Sequence, residues 1–180
     1  GITGPTAAAA GNDSLYYTLP EMMDGLAISA SMSPGRAAQE THTSFGLVYT
    51  GVDGLTAKYG QGDSGAPGSE TESTTMMVSY AIGSVTLSAS NTEADNTGAA
   101  NREVDSYQLA YTVSDDISVT YGSETFDLAG NATDEEVEAF GVSYTSGGMT
   151  ISANSYEAKG AANAAGAKTD KWALTAAFAF

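Results

Sequence analysis

The sequence predicts an all-β fold, specifically a transmembrane antiparallel up-and-down β-barrel. Three observations support this prediction: apolar residues recur with a period of two, the residues between them are polar but nearly uncharged, and the connections alternate between short and long. No segment shows a helical period that would compete with this pattern. No run approaches the roughly 18 consecutive apolar residues that a membrane-spanning helix needs.

Eleven segments carry the period-two pattern. Within them Val, Ile, Tyr and Phe are frequent, and these residues favour strands because their side chains pack well on a pleated surface. In chain order the apolar positions run over Leu15–Leu19, Leu26–Met32, Phe45–Tyr49, Leu55–Tyr59, Met76–Ile82, Val85–Ala89, Tyr107–Val113, Ile117–Tyr121, Phe140–Tyr144, Met149–Ala153 and Trp172–Phe180. The sequence therefore predicts eleven strands.

The connections between these strands predict a meander. Short connections follow the odd-numbered strands and have hairpin chemistry, as at Gly83 and Ser84, and at Gly147 and Gly148. Long connections of roughly a dozen to eighteen residues follow the even-numbered strands. They contain 16 of the 22 acidic residues. We therefore expect one tight end and one elaborate, acidic end, with strands adjacent in sequence also adjacent in space.

The residues that alternate with the apolar ones predict a water-filled interior. The outward face of a soluble sandwich normally carries many charges, whereas Ser and Thr dominate here, so we expect the apolar face to meet lipid and the polar face to line a pore. On that polar face Lys58 avoids the cost of about 2–4 kcal/mol that a lipid-facing base incurs at the midplane. The predicted pore-lining residues are Thr18, Ser29, Ser31, Thr56, Lys58, Ser79, Thr86, Ser88, Gln108, Thr112, Ser118, Thr120, Thr150 and Ser152.

Aromatic residues near strand ends support the lipid-facing assignment, because amphipathic rings favour the headgroup boundary. The alternative is the aromatic core of a soluble barrel. The predicted aromatic girdle consists of Tyr17, Phe45, Tyr49, Tyr59, Tyr80, Tyr107, Tyr121, Phe140, Tyr144, Trp172, Phe178 and Phe180.

The composition excludes several functional classes. The chain has 22 Asp and Glu against 6 Lys and Arg, a formal net charge of −16, whereas nucleic-acid binding needs a basic surface. Cysteine is absent, which excludes disulfides and thiolate metal sites. Residues 1–11 lack an initial Met and the pattern of a signal peptide, so we expect either a mature sequence or a piece of a longer one.

One motif resembles a catalytic segment, but we predict no enzyme. "GDSGAP", Gly62 to Pro67, is close to the sequence around the nucleophile of trypsin-like serine proteases. That chemistry needs a His base oriented by a buried Asp, and an oxyanion hole. The only histidine is His42, and Ser64 lies in a Gly-rich loop, so we interpret this segment as turn residues.

Two stretches carry a family pattern: "KWALTAAFAF", Lys171 to Phe180, and "NDSLYYTLPEMMDGLAISASM", Asn12 to Met32. With the strands and loops, they resemble the C-terminal strand and the hairpin after the constriction loop of the Gram-negative outer-membrane porins, the trimeric general-diffusion type. The resemblance implies an outer-membrane location, a homotrimer, and contacts with membrane lipid, lipopolysaccharide and the outer-membrane assembly machinery. It also implies an assembly signal formed by Trp172, Leu174, Phe178 and Phe180.

The strand count predicts that the chain is part of a larger barrel. Bacterial single-chain barrels have an even number of strands, so eleven do not close one. With Phe180 on the periplasmic side, the strand at Leu15 would be the sixth of a sixteen-stranded porin. The resemblance then implies that residues 1–13 end the constriction loop and that residues 14–180 form strands with short periplasmic turns and long acidic extracellular loops. An eighteen-stranded substrate-specific porin is the alternative.

The acidic loops have two interpretations. Solvation is the first, and weak Ca²⁺ or Mg²⁺ binding that bridges to lipopolysaccharide is the minority one, since these ions take oxygen ligands. The candidate ligands are Asp134, Glu135, Glu136 and Glu138, or Asp115 with Asp116. No EF-hand spacing is present, and we predict no cofactor.

The expected function is a channel for passive diffusion of small hydrophilic solutes and ions, because a hydroxyl-lined wall hydrates the lumen without holding a solute tightly. Acidic loops at the mouth would raise the local concentration of cations, so a mild cation preference is predicted. The alternative of another class is a secreted or surface-displayed β-protein, such as an adhesin or a carbohydrate-binding module.

Overall fold

The computed structural model describes residues 14–35, 40–65 and 67–179, which contain eleven strands and a three-residue 3₁₀ helix. The strands form where apolar and polar residues alternate, as the period-two pattern predicts. They are β1 (Leu15–Thr18), β2 (Leu26–Ser33), β3 (His42–Tyr49), β4 (Leu55–Ser64), β5 (Thr71–Ile82), β6 (Val85–Asn96), β7 (Arg102–Thr112), β8 (Ile117–Leu128), β9 (Glu135–Ser146), β10 (Met149–Lys159) and β11 (Lys168–Phe178), and the 3₁₀ helix is Ala161–Asn163.

All eleven strands belong to one antiparallel sheet, in which each strand pairs with the next in sequence from β1 to β11. This order confirms the predicted all-β, up-and-down fold. β1 and β11 lie at the two edges of the sheet and do not pair with each other within the described residues. No helix in the described part of the chain is long and apolar enough to cross a membrane.

The connections after odd-numbered strands are tight, as predicted. Gly83 and Ser84 join β5 to β6, and Gly147 and Gly148 join β9 to β10 with φ angles of 55° and 83°. Positive φ at both central residues is typical of the type I′ turn, whose twist matches that of the flanking strands, and glycine adopts it without a steric penalty. We call this end of the sheet the short-turn end.

The opposite end, which we call the hairpin end, differs from the prediction because the strands continue into the acidic segments. β5 and β6 each have 12 residues, and the connection between β6 and β7 is reduced to residues 97–101. Side chains keep alternating through these segments, so the backbone ladder continues. The hydrogen bond of 2.7 Å from Thr71 Oγ1 to Asn96 Oδ1 links two such extensions. The long connections are therefore mostly strand, closed by short hairpins.

The sheet has no conventional core. Within the described residues, only Ala94 and Ala158 are buried apolar residues, whereas Trp172 is 82% exposed. A soluble fold covers such a face with a second layer, and none of the described residues forms a second layer over this sheet. Backbone hydrogen bonds and cross-strand side-chain pairs therefore hold the sheet together.

Gly54, in the turn between β3 and β4, permits a close backbone contact. Its φ is +74°, and a Cβ here would lie 2.3 Å from the carbonyl oxygen of Ala81. Gly54→Ala should therefore lower the midpoint of thermal unfolding more than Gly83→Ala, whose Cβ meets nothing within 4 Å. Both variants incur about 1–2 kcal/mol for a left-handed residue, and only Gly54→Ala adds a backbone displacement of about 1–3 kcal/mol.

Circular dichroism melts of both variants, folded in the same detergent, measure this difference. Equal midpoints for the two variants would contradict the close contact at Gly54.

Candidate functional site

The apolar face of the sheet carries continuous rows of large side chains. In one row, Tyr80 pairs with Leu87, Leu87 with Leu109, Leu109 with Tyr121, and Tyr121 with Phe140. These side chains are exposed, each by 40% or more. All members of the predicted aromatic girdle lie on this face except the last residue of the chain, which is outside the described residues.

The fourteen residues predicted to line a pore lie together on the opposite face, which we call the polar face. Ser79 pairs with Ser88, and Ser88 pairs with Gln108. Many hydroxyls bond to each other across strands, at 2.8 Å from Ser88 Oγ to Ser79 Oγ and at 2.6 Å between Ser31 Oγ and Ser44 Oγ. Such bonds tie the hydroxyls to the wall of the sheet and leave them polar.

The acidic residues of the strands lie mostly on the apolar face, beyond its apolar rows and toward the hairpin end. We call this set the acidic band. It consists of Asp63, Glu72, Glu93, Asp95, Glu103, Asp105, Asp127, Glu136, Glu138, Glu157 and Asp170. Several carboxylates are directly opposed, as in the pair Glu93 and Glu103 and the pair Glu138 and Glu157. Like charges opposed in this way destabilise a sheet unless a cation or solvent screens them.

Sequence reasoning missed the acidic band, although a signal was present. Glu93 and Asp95 are two residues apart, as are Glu103 and Asp105, and this spacing places each pair on one face of a strand. The predicted strands rest on apolar residues alone, and these acids lie outside them, in the predicted loops.

Two lysines interrupt the acidic band at β10 and β11. Lys168 Nζ lies 3.2 Å from Glu157 Oε2 and 3.6 Å from Asp170 Oδ1, and Lys159 Nζ lies 3.3 Å from Glu157 Oε1. These side chains are exposed, so each pair contributes little to stability. The rest of the band, within the described strands, has no basic neighbour on its own face.

The polar face carries far fewer charges than the acidic band. In the described strands, its permanently charged residues are three bases and two acids: Lys58, Arg102, Lys171, Glu124 and Glu135. Fixed negative charge is therefore concentrated on the apolar side of the sheet, and the polar face is close to neutral.

Hydrogen bonds fasten two hairpins of the hairpin end to each other. The backbone N–H of Ala162 donates to Glu135 Oε2 at 2.8 Å. The side-chain amide of Asn163 donates to the carbonyl oxygens of Phe126 at 3.2 Å and Thr133 at 3.1 Å. The connection between β10 and β11 is thus anchored on the hairpin between β8 and β9.

The connection between β4 and β5 is closed by Glu70. The backbone N–H of Gly68 donates to Glu70 Oε1 at 2.8 Å. Because this bond favours the charged carboxylate, it holds the pKa of Glu70 below its usual range.

The predicted acidic ligands for Ca²⁺ or Mg²⁺ do not converge in the part of the chain that the structure describes. No group of three or more His, Asp or Glu side chains there is arranged to hold a metal ion.

The interpretation of "GDSGAP" as turn residues is wrong for its first three residues, because Gly62, Asp63 and Ser64 end β4. His42 Nδ1 lies 3.9 Å from Asp63 Oδ2, and Asp63 Oδ1 accepts hydrogen bonds from the backbone N–H and the hydroxyl of Thr43 at 2.8 and 2.5 Å. Ser64 follows Asp63 in an extended strand, so its side chain points to the opposite face. Within the described residues, Ser64 forms no hydrogen bond with His42.

The chain matches the family model described as Gram-negative porin over residues 1–180. The chain belongs to the Gram-negative porin family. This membership confirms the predicted family and places the porin in the outer membrane of a Gram-negative bacterium. A search of curated proteins found no match.

Solved structures of two porins and of another outer-membrane protein share the fold. A porin structure refined at 1.8 Å matches with a TM-score of 0.68 at 15% identity, covering 97% of this chain and 66% of that one. The anion-selective porin from Comamonas acidovorans matches with a TM-score of 0.61 at 17% identity, covering 81% of this chain and 48% of that one. OmpT, an outer-membrane protein of Vibrio cholerae, matches with a TM-score of 0.60 at 16% identity, covering 92% and 64%.

These likenesses confirm the fold class, and they show that this porin chain spans about half to two thirds of the length of the solved structures.

Proposed function

We propose that this porin forms the wall of a water-filled channel for passive diffusion of small hydrophilic solutes and ions, and that it is not an enzyme. The observation that carries the proposal is the sorting of side chains on a single-layer sheet. One face exposes rows of large apolar residues, and the other exposes hydroxyls. Neither face is covered within the described residues, so each needs its own solvent, lipid on one side and water on the other.

The lipid-facing assignment predicts opposite outcomes for two adjacent substitutions. Leu87→Arg should destabilise the folded barrel more than a substitution on the polar face does, since a base on the lipid face costs from about 1 kcal/mol near the interface to about 2–4 kcal/mol at the midplane. Ser88→Arg, one residue away on the polar face, should insert and fold, because its guanidinium would stay in water. Urea unfolding of each variant in lipid vesicles measures the difference. Equal destabilisation of the two variants would refute the assignment of the faces.

The larger barrel remains part of the proposal. We infer that preceding strands close the sheet between β1 and β11, giving sixteen strands with residues 1–13 at the end of a constriction loop; an eighteen-stranded barrel would supply two more. The shorter length relative to solved porins supports this. Residues 1–13 lie outside the described residues.

We further propose a homotrimer that the outer-membrane assembly machinery inserts through the terminal strand. One solved structure of Vibrio cholerae OmpT is a trimer form of that protein. In this chain Trp172, Leu174 and Phe178 are exposed on β11 by 82%, 67% and 59%, so the strand offers an apolar surface to a receptor or a neighbouring subunit. A soluble adhesin or carbohydrate-binding module, the competing proposal, would remain monomeric without detergent.

A mild cation preference is the finer part of the proposal. The net charge of −16 favours it, and carboxylates of the hairpins at the mouth, such as Glu70, are its source. The polar face opposes it through Lys58, Arg102 and Lys171. A field that originates at the mouth acts over a distance and is screened by salt, with a Debye length of about 10 Å at 0.1 M and about 3 Å at 1 M.

Reversal potentials across a KCl gradient should therefore show cation preference at low salt and almost none near 1 M. Lys58→Gln should increase the preference, because it removes a positive charge from the wall. An anion preference that Lys58→Gln abolishes would instead show that the wall controls selectivity.

The acidic band supports lipopolysaccharide as a partner. It lies on the same face as the apolar rows and beyond them, so in the proposed orientation it meets lipid headgroups. Divalent cations would bridge its carboxylates to anionic headgroups, since Mg²⁺ and Ca²⁺ bind oxygen ligands.

Retention of lipopolysaccharide by the purified porin in Mg²⁺ should therefore fall several-fold in the double variant Glu93→Gln with Glu103→Gln, and EDTA should have the same effect on the unmodified porin. The matched control is Asp115→Asn with Asp116→Asn, which removes two acids from the short-turn end. Equal loss in both double variants would contradict a specific role of the band.

A further inference from the structure

The polar face has a gap between β7 and β10. Two neighbouring positions there, Gly122 and Ala139, carry no side chain or only a methyl group. Beside them Gly141 is buried, with Thr120 Oγ1 and Asn154 Oδ1 over the position that a Cβ would take. Gly122 pairs with Gln108 on one side and Ala139 on the other, and Gly141 pairs with Asn154. The result is a groove of about 340 Å³, which we call the β7–β10 groove.

The rim of this groove offers hydrogen-bonding groups that the protein does not use. Gln108, Asn154 and Tyr156 border it, and their side-chain polar groups form no hydrogen bond with any residue in the described ranges. Each amide supplies a carbonyl acceptor and two N–H donors, and the tyrosine supplies a hydroxyl. This differs from the hydroxyl pairs elsewhere on the face, such as Ser79 with Ser88, which bond to each other.

Two side chains that line the groove, Glu124 and Tyr156, are held in position. Glu124 Oε2 accepts a hydrogen bond of 3.0 Å from the hydroxyl of Ser106, which is only 7% exposed. The ammonium of Lys171 lies 5.9 Å from the centre of the Tyr156 ring, within the range of a cation–π contact. These two side chains therefore lose less conformational entropy when a ligand binds than unanchored side chains would.

We propose that the β7–β10 groove binds a small neutral polyhydroxylated solute, of the size of one sugar ring, as it moves along the wall. The inference rests on the proposed function only in placing the groove in a water-filled channel. Every hydroxyl of such a solute both donates and accepts, as the mixed rim requires. The volume lies near the lower end of the roughly 300–1,000 Å³ typical of small-molecule sites.

Other solute classes fit less well. Glu124 and Lys171 bring one negative and one positive charge to the groove, so their fields oppose each other and favour neither an anion nor a cation over a neutral solute. An apolar solute would leave the amides of Gln108 and Asn154 desolvated and unpaired, which is unfavourable. The groove is open, so binding in about the millimolar range is expected, weak enough for release during diffusion.

One substitution fills the groove without disturbing the backbone. A Cβ at Gly122 would lie 3.6 Å from its nearest neighbour, the carbonyl oxygen of Tyr107, which is ordinary contact, so Gly122→Val should fold and occupy the gap. Gly46→Val on β3 is the matched control, since it adds the same side chain to the polar face outside the groove. Its Cβ would meet only Ser29 Oγ, at 3.0 Å.

Saturation-transfer NMR with glucose, on the full porin chain that carries this sequence folded in detergent, measures binding directly. We expect saturable transfer in the unmodified protein, unchanged affinity in Gly46→Val, and affinity at least about tenfold weaker in Gly122→Val, since filling a cavity excludes its ligand. Asn154→Ala, which removes a rim amide without filling the gap, should weaken binding several-fold. Absence of saturable transfer in the unmodified protein, or equal loss in Gly122→Val and Gly46→Val, would overturn the proposal.

Salt conductance of the same preparations in planar bilayers separates this inference from the proposed channel. Conductance without glucose binding would refute the proposed binding site in the groove and support the proposed channel. The opposite result is glucose binding that Gly122→Val abolishes, with no conductance in any preparation. It would refute the proposed channel and support the groove as a binding site.

Discussion

The satisfaction of backbone hydrogen bonds is the constraint on which the rest of the structure depends. Lipid offers no partner for an N–H or a C=O, so a chain that crosses a membrane with strands must pair every strand with its neighbours. In this porin the ladder is continuous from β1 to β11. Because the ladder supplies cohesion, the side chains need no shared core, and only Ala94 and Ala158 are buried apolar residues in the described chain. The side chains are instead free to be sorted by the solvent each face meets.

This sorting explains how much could be predicted from the sequence. Lipid favours apolar side chains such as Leu87, and water favours polar ones such as Ser88, so residue types alternate along each strand. The strands, their order and the two faces were therefore predictable from residue types. The strand extensions were not predictable in this way. Acidic residues such as Glu93 and Asp95 are typical of loops, although their spacing of two residues is that of a strand. The β7–β10 groove was also out of reach, since it depends on which glycine lies opposite which neighbour, and register between strands is a property of the folded sheet.

The charge distribution changes the physical picture of the proposed channel. A net charge of −16 suggests a strongly negative pore, but most strand carboxylates share the face of the apolar rows, and the polar face balances Lys58, Arg102 and Lys171 against two acids. In the proposed channel, the same segregation would give the two faces different tasks. The acidic band would face the ionic layer of the headgroups, and the nearly neutral wall would face solutes that interact through hydroxyls and amides.

The strict alternation of side chains between the two faces also limits which insertions and deletions the strands can accept during evolution. Inserting a single residue near the start of β6, before Leu87, would turn every following side chain of that strand toward the wrong solvent, so that Leu87 and Ser88 would exchange environments. Inserting two residues would preserve the sorting and merely lengthen the strand. Strands of this porin can therefore gain or lose residues only in even numbers. The short connection at residues 97–101 can change by any number of residues, because its side chains do not alternate between the two faces. Variation in length should accumulate at the hairpin end, and the membrane-crossing rows should keep their register.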